Sequence, residues 1–375
     1  MKILFPISSY FPSQVGGPSN SVYWICTGLL KDNNIYTTVV TTKVGIETED
    51  NIVLNQWYIN KNNNKILYTN SSGMLPYKMI FESVKQIRHH DIIHLSSLFY
   101  PSSLFIAILG IMLNKKIVLS VRGELYPFAL KSFRPKLKQV FIKIYKVFKK
   151  QIVFHATVKK EEEYIKEIFG SNIKTILLPN YILKPKQFKI NKVEENYILY
   201  LGRLHEIKGL ENLFKALKNA NTFKNSNFKL KLAGKSEGDY KQKLENLAKE
   251  LKIENKIEFI GQIQGFDKEN LIANAKFLIL PSHTENFGNV VVEALIHGVP
   301  VVASKGTPWK ILEEHNAGFW VDNSVNSLKD IIEYVIDIKE EEYTEMSVNA
   351  KKLLEEEFDI ETNYVKWSNF YYNLQ

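Results

Sequence analysis

Two carboxylates and two cations stand where their chemistry can be used together. In PSHTENFGNVVVEALIHGVPVVAS, residues 281–304, Glu285 precedes the apolar run from Asn289 to Ile296 and Glu293 interrupts it. An ionised carboxylate is costly to bury unless it is paired or hydrogen-bonded, so Glu293 needs a partner. About one turn inside a helix, it can face the same ligand as the helix N-terminus, and two ribose hydroxyls would satisfy both of its oxygens. A salt bridge within the fold is the competing reading. In GRLHEIKG, residues 202–209, Arg203 and Lys208 share a loop between a strand and a helix. Helix-start N–H groups with two cations suit a diphosphate, against the plainer reading of two solvated charges. The Walker A pattern is absent. Gly16 and Gly17, in SSYFPSQVGGPSNS, either let backbone approach a ligand closely or form an ordinary turn, since GxGxxG is missing.

Short β-branched runs supply the strands to carry these loops: 2–6, 37–41, 91–95, 116–121, 152–155, 175–178, 197–201, 229–233, 256–260, 277–280 and 299–303. Most are followed by segments of helical spacing. Strands alternating with helices imply parallel sheets, whose ligands bind beyond the carboxyl ends of the strands. A break near residue 183, within PNYILKPKQ, divides the series. The expected fold class is therefore α/β, with two doubly wound, Rossmann-like domains of similar size. The Asn/Lys-rich segment around 60–65 reads as a solvated loop.

At 375 residues the chain exceeds one typical domain. Its 45% hydrophobic and 24% charged residues exclude a disordered or fibrous protein. The net charge of +9 points to acidic partners. Nucleic acid is not expected among them, because no base-stacking aromatic cluster or recognised module accompanies the charge. Cys26, the sole cysteine, lies among Val22, Trp24, Ile25 and Leu29 and reads as a small buried residue in a reducing compartment. No signal peptide is expected, as the apolar run after Lys2 ends at Pro6. The greasy stretch 104–113 falls short of the ~20 residues that span a bilayer and reads as a buried helix. No metal is expected, because Asp-x-Asp is missing and the eight histidines lack ligand spacing. His94 and His155, in strands, read as satisfied core histidines.

The segment 131–150, KSFRPKLKQVFIKIYKVFKK, has no acidic residue. Leu137, Val140, Phe141, Ile144, Tyr145 and Phe148 recur as one helical face, with Lys136, Lys143, Lys146 and Lys150 largely on another. The expectation is a packed apolar face with a lysine rim drawn to an anionic membrane surface.

With these motifs assembled, the chain resembles the family-4 retaining glycosyltransferases of GT-B fold (glycosyltransferase group 1), in their bacterial surface-polysaccharide branch. The likeness runs over nearly the whole chain and is strongest in its second half. The family's two glutamates separated by seven residues match Glu285 and Glu293, its phosphate-binding Arg and Lys match Arg203 and Lys208, and its glycine loop matches Gly16 and Gly17. HATVKKEEEYI, LLPN, SVRGELYPFAL and SKGTPWKILEE resemble family segments as well.

The resemblance implies an acceptor-binding domain 1–183, a donor-binding domain 184–355 and a C-terminal helix within 356–375 returning to the first domain. The two domains would face a cleft that closes on donor binding. Glu293 would bind the ribose of a UDP- or GDP-sugar co-substrate, with no further cofactor. Glu285 and backbone around Asn286, Phe287, Gly288, Asn289 and Val290 would hold the sugar, and backbone near Gln262 and Ile263 the base. The GTPW segment near Thr307 would lie beside the sugar. Arg203 and Lys208 would neutralise the diphosphate leaving group. Many relatives have His where this chain has Arg122; an Arg stays protonated and cannot act as a base, so its implied role is to position phosphate, sugar or acceptor, unless it forms a structural ion pair. The acceptor would be a glycan or polyprenyl-diphosphate-linked oligosaccharide in O-antigen, capsule or exopolysaccharide synthesis, at the cytoplasmic face of the membrane. A GT-B sugar-nucleotide epimerase and a non-catalytic, membrane-associated sugar-nucleotide binder are the alternatives.

Overall fold

The structure is a computed structural model and describes residues 1–13, 17–59, 64–185, 190 and 196–374. Gly16 lies outside the described residues. Contacts divide the chain into two compact units, Met1–Leu183 with Asp359–Gln375, and Lys184–Phe358. The second boundary falls three residues beyond the expected 355.

Unit 1 has strands β1 (Lys2–Pro6), β2 (Tyr36–Thr42), β3 (Trp57–Ile59), β4 (Lys65–Thr69), β5 (Ile92–Ser96), β6 (Lys116–Ser120), β7 (Ile152–Ala156) and β8 (Lys174–Leu177). They form one sheet in the order 3-4-2-1-5-6-7-8. Only the β3/β4 pair is antiparallel. IIHLS of β5 and IVFHA of β7 are buried along their whole length, as a parallel sheet covered on both faces requires. Alternation sorts the side chains: Leu4 and Ile93 enter one core, Ile3 and Ile92 the other. Helices α2 (Tyr77–Ile87), α3 (Pro101–Met112), α5 (Pro135–Phe148) and α6 (Lys159–Phe169) pack on the first face, with α4 (Pro127–Lys131) preceding α5. Helix α1 (Gly17–Leu29) and the C-terminal helix, α15 (Ile360–Tyr372), cover the other. A Cβ on Gly28 would meet Ile360 at 2.5 Å, so α1 and α15 are in intimate contact.

Unit 2 has β9 (Tyr197–Leu201), β10 (Lys229–Ala233), β11 (Ile257–Gly261), β12 (Phe277–Leu280), β13 (Val301–Ser304) and β14 (Gly318–Val321). The sheet is wholly parallel, in the order 11-10-9-12-13-14. Its helices are α7 (Leu210–Asn219), α8 (Asn221–Asn225), α9 (Tyr240–Glu250), α10 (Gly265–Ala273), α11 (Asn289–Ile296), α12 (Ile311–Glu314), α13 (Val325–Ile336) and α14 (Glu340–Leu353). Two doubly wound α/β units are the architecture expected from the alternating pattern.

Some expectations need correction. Strands β3, β4 and β14 were not anticipated: each is short, and β3 and β14 are edge strands with little alternation to mark them. The basic helix begins at Pro135 rather than 131, because Arg134 adopts a left-handed φ of 54° and the proline takes the first helical position. Its packed face is Phe141, Ile142 and Tyr145, whereas Leu137 and Val140 are exposed. The helix over 104–113 is not buried all round, since Phe105, Met112 and Leu113 reach solvent. Cys26 is buried, and burial pushes its thiol up to about 12.

A buried polar chain ties α15 to the sheet. Leu178 O can only accept, so His155 Nε2–H donates to it at 2.9 Å and His155 Nδ1 accepts from Ser120 Oγ at 2.7 Å. Ser120 Oγ then accepts from His94 Nε2 at 2.7 Å, and Tyr371 donates to His94 Nδ1 at 2.6 Å. Only neutral histidines satisfy every link. Burial lowers both, His155 to about 3, with Arg122 adding repulsion to each. The unfolded chain therefore binds more protons below pH ~6.5, and stability drains as the pH falls from there, by up to about 1.4 kcal/mol per pH unit for each histidine. Urea midpoints measured from pH 7 to 5 should fall, and His155→Gln should flatten that slope by roughly half.

Candidate functional site

In unit 2 the strand order reverses between β9 and β12, which lie side by side. Ligands of doubly wound sheets bind at such a reversal, outside the carboxyl ends of the strands. The loop after β9 carries Arg203 and Lys208; the loop after β12 carries Glu285. The two loops are stitched together, with His283 N–H donating to Ile207 O at 2.8 Å. Gly209, with φ of 66°, ends the first loop and starts α7. A Cβ there would clash with Pro281 O. Gly209→Ala combines a left-handed backbone with that clash, and should cost about 2 kcal/mol or more and separate the loops, read as a lowered thermal midpoint.

Lys208 bonds the Glu285 carboxylate directly, and both side chains are mostly buried, at 15% and 18% exposed. Ser282 Oγ reaches the same carboxylate oxygen at 3.5 Å. Glu285 N–H donates to Gly306 O at 3.0 Å, which fixes the backbone behind it. Arg203 is different: its guanidinium is 59% exposed and bridges Glu237 at 2.7 Å. The structure thus brings Lys208 and Glu285 together and leaves Arg203 on the surface.

Asn286, Asn289 and Val290 are half-buried, while Phe287 is buried, its carbonyl accepting from Trp309 Nε1 at 2.5 Å. Gly288 precedes α11 with φ of 82°, a left-handed turn that starts the helix abruptly. Thr307 and Trp309 turn inward: Thr307 donates to Ser304 O at 2.6 Å and Trp309 packs on Phe287 and Phe358. Trp309 thereby braces the 285–288 loop from behind.

Glu293 is buried in α11, and its partner is Lys268 of α10, at 2.8 Å from Oε1. Burial pulls the Lys268 ammonium down, but the attraction of Glu293 and its hydrogen bond carry it above its ordinary value. Glu269 of the same helix bonds His297 at 2.7 Å, so α10 and α11 are clasped twice. Each candidate carboxylate gives one oxygen to a lysine: Glu285 to Lys208, Glu293 to Lys268. Lys268 was not anticipated, because nothing in GFDKENLIA marks it. Gln262 is exposed and Ile263 half-buried in the turn between β11 and α10.

Unit 1 holds the other candidates. Gly17 is exposed at the first residue of α1, after the first strand. Arg122, after β6, has a left-handed φ of 60°. Its Nη1 donates to Asn180 at 2.9 Å, while Nε and Nη2 are enclosed without a protein partner. Burial lowers the guanidinium to about 10, opposed by Glu161 and Tyr371, and it stays charged at neutral pH. Beneath it, Glu161 accepts from Gly123 N and from Thr157 N at 2.7 Å. Glu124 accepts from Ser97 Oγ and from Phe99 N at 3.2 Å. These two carboxylates, missed in the sequence, hold the loop that presents Arg122. A cavity of about 460 Å³ lined by Leu125, Leu130, Tyr164 and Ile168, with Lys131 and Lys136, also lies in unit 1. Among the described residues no His, Cys, Asp and Glu cluster can hold a metal.

Residues 184–353 match the family model for "Glycosyl transferases group 1". A glycosyltransferase of Haemophilus influenzae is 32% identical over 200 residues, 52% of this chain and 54% of that protein. One from Methanocaldococcus jannaschii is 36% identical over 129 residues, 34% of this chain and 32% of that protein. A GalNAc-alpha-(1->4)-GalNAc-alpha-(1->3)-diNAcBac-PP-undecaprenol alpha-1,4-N-acetyl-D-galactosaminyltransferase of Campylobacter jejuni is 30% identical over 138 residues, 37% of each chain. The alignments span a third to about half the length of these curated relatives. Among solved structures, Anabaena HepE in complex with UDP and glucose superposes with a TM-score of 0.73 at 20% identity, covering both chains fully. WaaG, described as a glycosyltransferase of lipopolysaccharide biosynthesis, gives 0.68 at 15% identity over 99% of each. These likenesses carry the GT-B fold, and within it residues 184–353 are similar to the glycosyl transferases group 1.

Proposed function

We propose that the chain is a retaining, metal-independent glycosyltransferase of family 4, moving a sugar from a UDP- or GDP-sugar to a glycan acceptor. The observation that carries the reading is the Lys208 and Glu285 pair at the strand-order reversal, with Glu293 held by Lys268 one turn inside the adjoining helix. Lys208, with Arg203, would neutralise the diphosphate as the glycosidic bond breaks. Glu285 and backbone at 286–290 would hold the sugar, Glu293 the ribose hydroxyls, and backbone near Gln262 and Ile263 the base. Gly16 and Gly17, after the first strand of unit 1, would let backbone approach the donor. Retention would proceed by same-face displacement assisted by the leaving phosphate.

Unit 1, residues 1–183 with the C-terminal helix, would take the acceptor, and residues 184–355 the donor. The two enclosed donor atoms of Arg122 suit a phosphate or carboxylate on either substrate. A polyprenyl-diphosphate-linked oligosaccharide as acceptor is supported by the Campylobacter relative's name and the basic segment 131–150, and the work would then be surface-polysaccharide synthesis at the cytoplasmic face of a membrane. No helix among the described residues is long and apolar enough to cross a bilayer. The proposed association is peripheral, through the basic segment 131–150.

Thermal stabilisation against UDP, GDP, ADP and their common sugars tests the reading. A ligand that binds only the folded state at 100 times its Kd adds about 2.7 kcal/mol. One nucleotide series should raise the midpoint, and turnover of its sugar should depend strictly on acceptor. No shift with any nucleotide at millimolar level would overturn the donor site.

A further inference from the structure

We propose that the helical layer α2, α3 and α5 of unit 1 seats on an anionic bilayer by inserting apolar side chains, not merely by attracting lipid to lysines. The proposal rests on the peripheral-membrane reading above and specifies how that membrane is held. Helix α5 has two apolar stripes. One, Phe141, Ile142 and Tyr145, packs on the sheet. The other, Leu137, Val140 and Val147 with half-buried Ile144, follows the same three-and-four spacing but faces outward, Val147 at 72% exposure. Phe133, 70% exposed, lies two residues before α5.

The stripe is not isolated. Leu75 and Tyr77 at the start of α2 are 67% and 75% exposed, and Phe81 one turn on is exposed as well. Helix α3 touches both α2 and α5 and adds exposed Phe105 between them. At the carboxyl edge of the sheet the two corners meet, with Arg134 Nη1 3.9 Å from Met74 Sδ. Such an array is more than the single exposed apolar residues that any soluble surface carries.

Charge selects the occupant. The segment 131–150 holds eight cations and no carboxylate. Lys138 and Lys149 bond backbone carbonyls, and none of the eight forms a direct ion pair with a carboxylate among the described residues, though Lys138 lies within electrostatic reach of Glu124. A second copy docked two-fold on this face would set lysine against lysine. An anionic bilayer offers acyl chains to the stripe and phosphates to the lysines at one depth.

Because Cys26 is the sole cysteine and is buried, single surface cysteines can be labelled cleanly. Leu75→Cys and Phe133→Cys, with Val365→Cys on the opposite face as control, would carry the environment-sensitive dye NBD. Vesicles of phosphatidylcholine, with or without about a third phosphatidylglycerol, are the probe. Emission should shift to the blue and rise severalfold at 75 and 133, not at 365, on anionic vesicles only. Leu75→Glu with Phe133→Glu should weaken vesicle binding at least about tenfold while the thermal midpoint and the nucleotide shift stay unchanged. Binding abolished by salt, with no blue shift at 75 or 133, would overturn insertion and leave the lysine attraction standing. Absence of binding to either vesicle would overturn both. A blue shift without vesicles, rising with protein concentration, would assign the face to a second copy and overturn the proposal.

Discussion

Lys208→Ala should lower turnover of the nucleotide sugar by about 10²- to 10³-fold, the usual cost of deleting one preorganised group that meets developing charge in a sheltered site. The burial of Lys208 decides the magnitude. Its ammonium is mostly screened from water, so solvent would attenuate its field at a leaving phosphate only weakly. Arg203 offers the same charge from a 59% exposed side chain tied to Glu237, where solvent and salt dilute it. Arg203→Ala is therefore expected to cost about tenfold, and chiefly in KM. The asymmetry distinguishes leaving-group stabilisation from simple attraction of an anion, which would weaken both variants alike and respond equally to salt. Steady-state kinetics with the stabilising nucleotide sugar measure it. A Lys208→Ala enzyme with kcat within about threefold of the parent, at unchanged thermal midpoint, would remove Lys208 from the chemistry.

How much of this was legible in the sequence depends on how local the cause is. The strand, loop and helix from 277 to 298 could be read because each boundary has its own residue: an apolar run for β12, left-handed Gly288 at the start of α11 and Gly298 at its end. Lys208 and Glu285 could be nominated, but their contact spans 77 positions and exists only because β9 and β12 are neighbours at the reversal of strand order. Lys268 was invisible for the same reason. Its helix has no marked polar face, and its partner lies on a different helix. On α5 the periodicity misled in an instructive way. Leu137, Val140, Ile144 and Val147 and the set Phe141, Ile142 and Tyr145 both obey helical spacing, and spacing alone cannot say which stripe meets the sheet. Arg122 was noticed as an oddity of type; its left-handed backbone and the Glu161 and Glu124 carboxylates that hold its loop belong to tertiary structure.

Glu293→Ala should do two things at once, and separating them tests the role of the carboxylate. Removing Glu293 strands the Lys268 ammonium in a mostly buried position, and breaking a buried pair from one side costs about 3 kcal/mol or more. Because Glu293 holds the Lys268 pKa above its ordinary value, that contribution is present at every pH below the unfolded lysine's 10.5 and is lost only as pH rises through the folded value. At neutral pH the single variant thus loses stability in full, and loss of nucleotide binding by it alone would be ambiguous. The double variant Glu293→Ala with Lys268→Met removes both charges and fills part of the space with an apolar chain, so stability should return to within about 1.5 kcal/mol of the parent. If Glu293 also binds ribose, nucleotide stabilisation stays absent in the double variant despite its restored fold. If the double variant is stabilised by nucleotide as well as the parent is, the carboxylate serves only to clasp α10 to α11, and the glutamate that interrupts an apolar helix is explained by Lys268 alone.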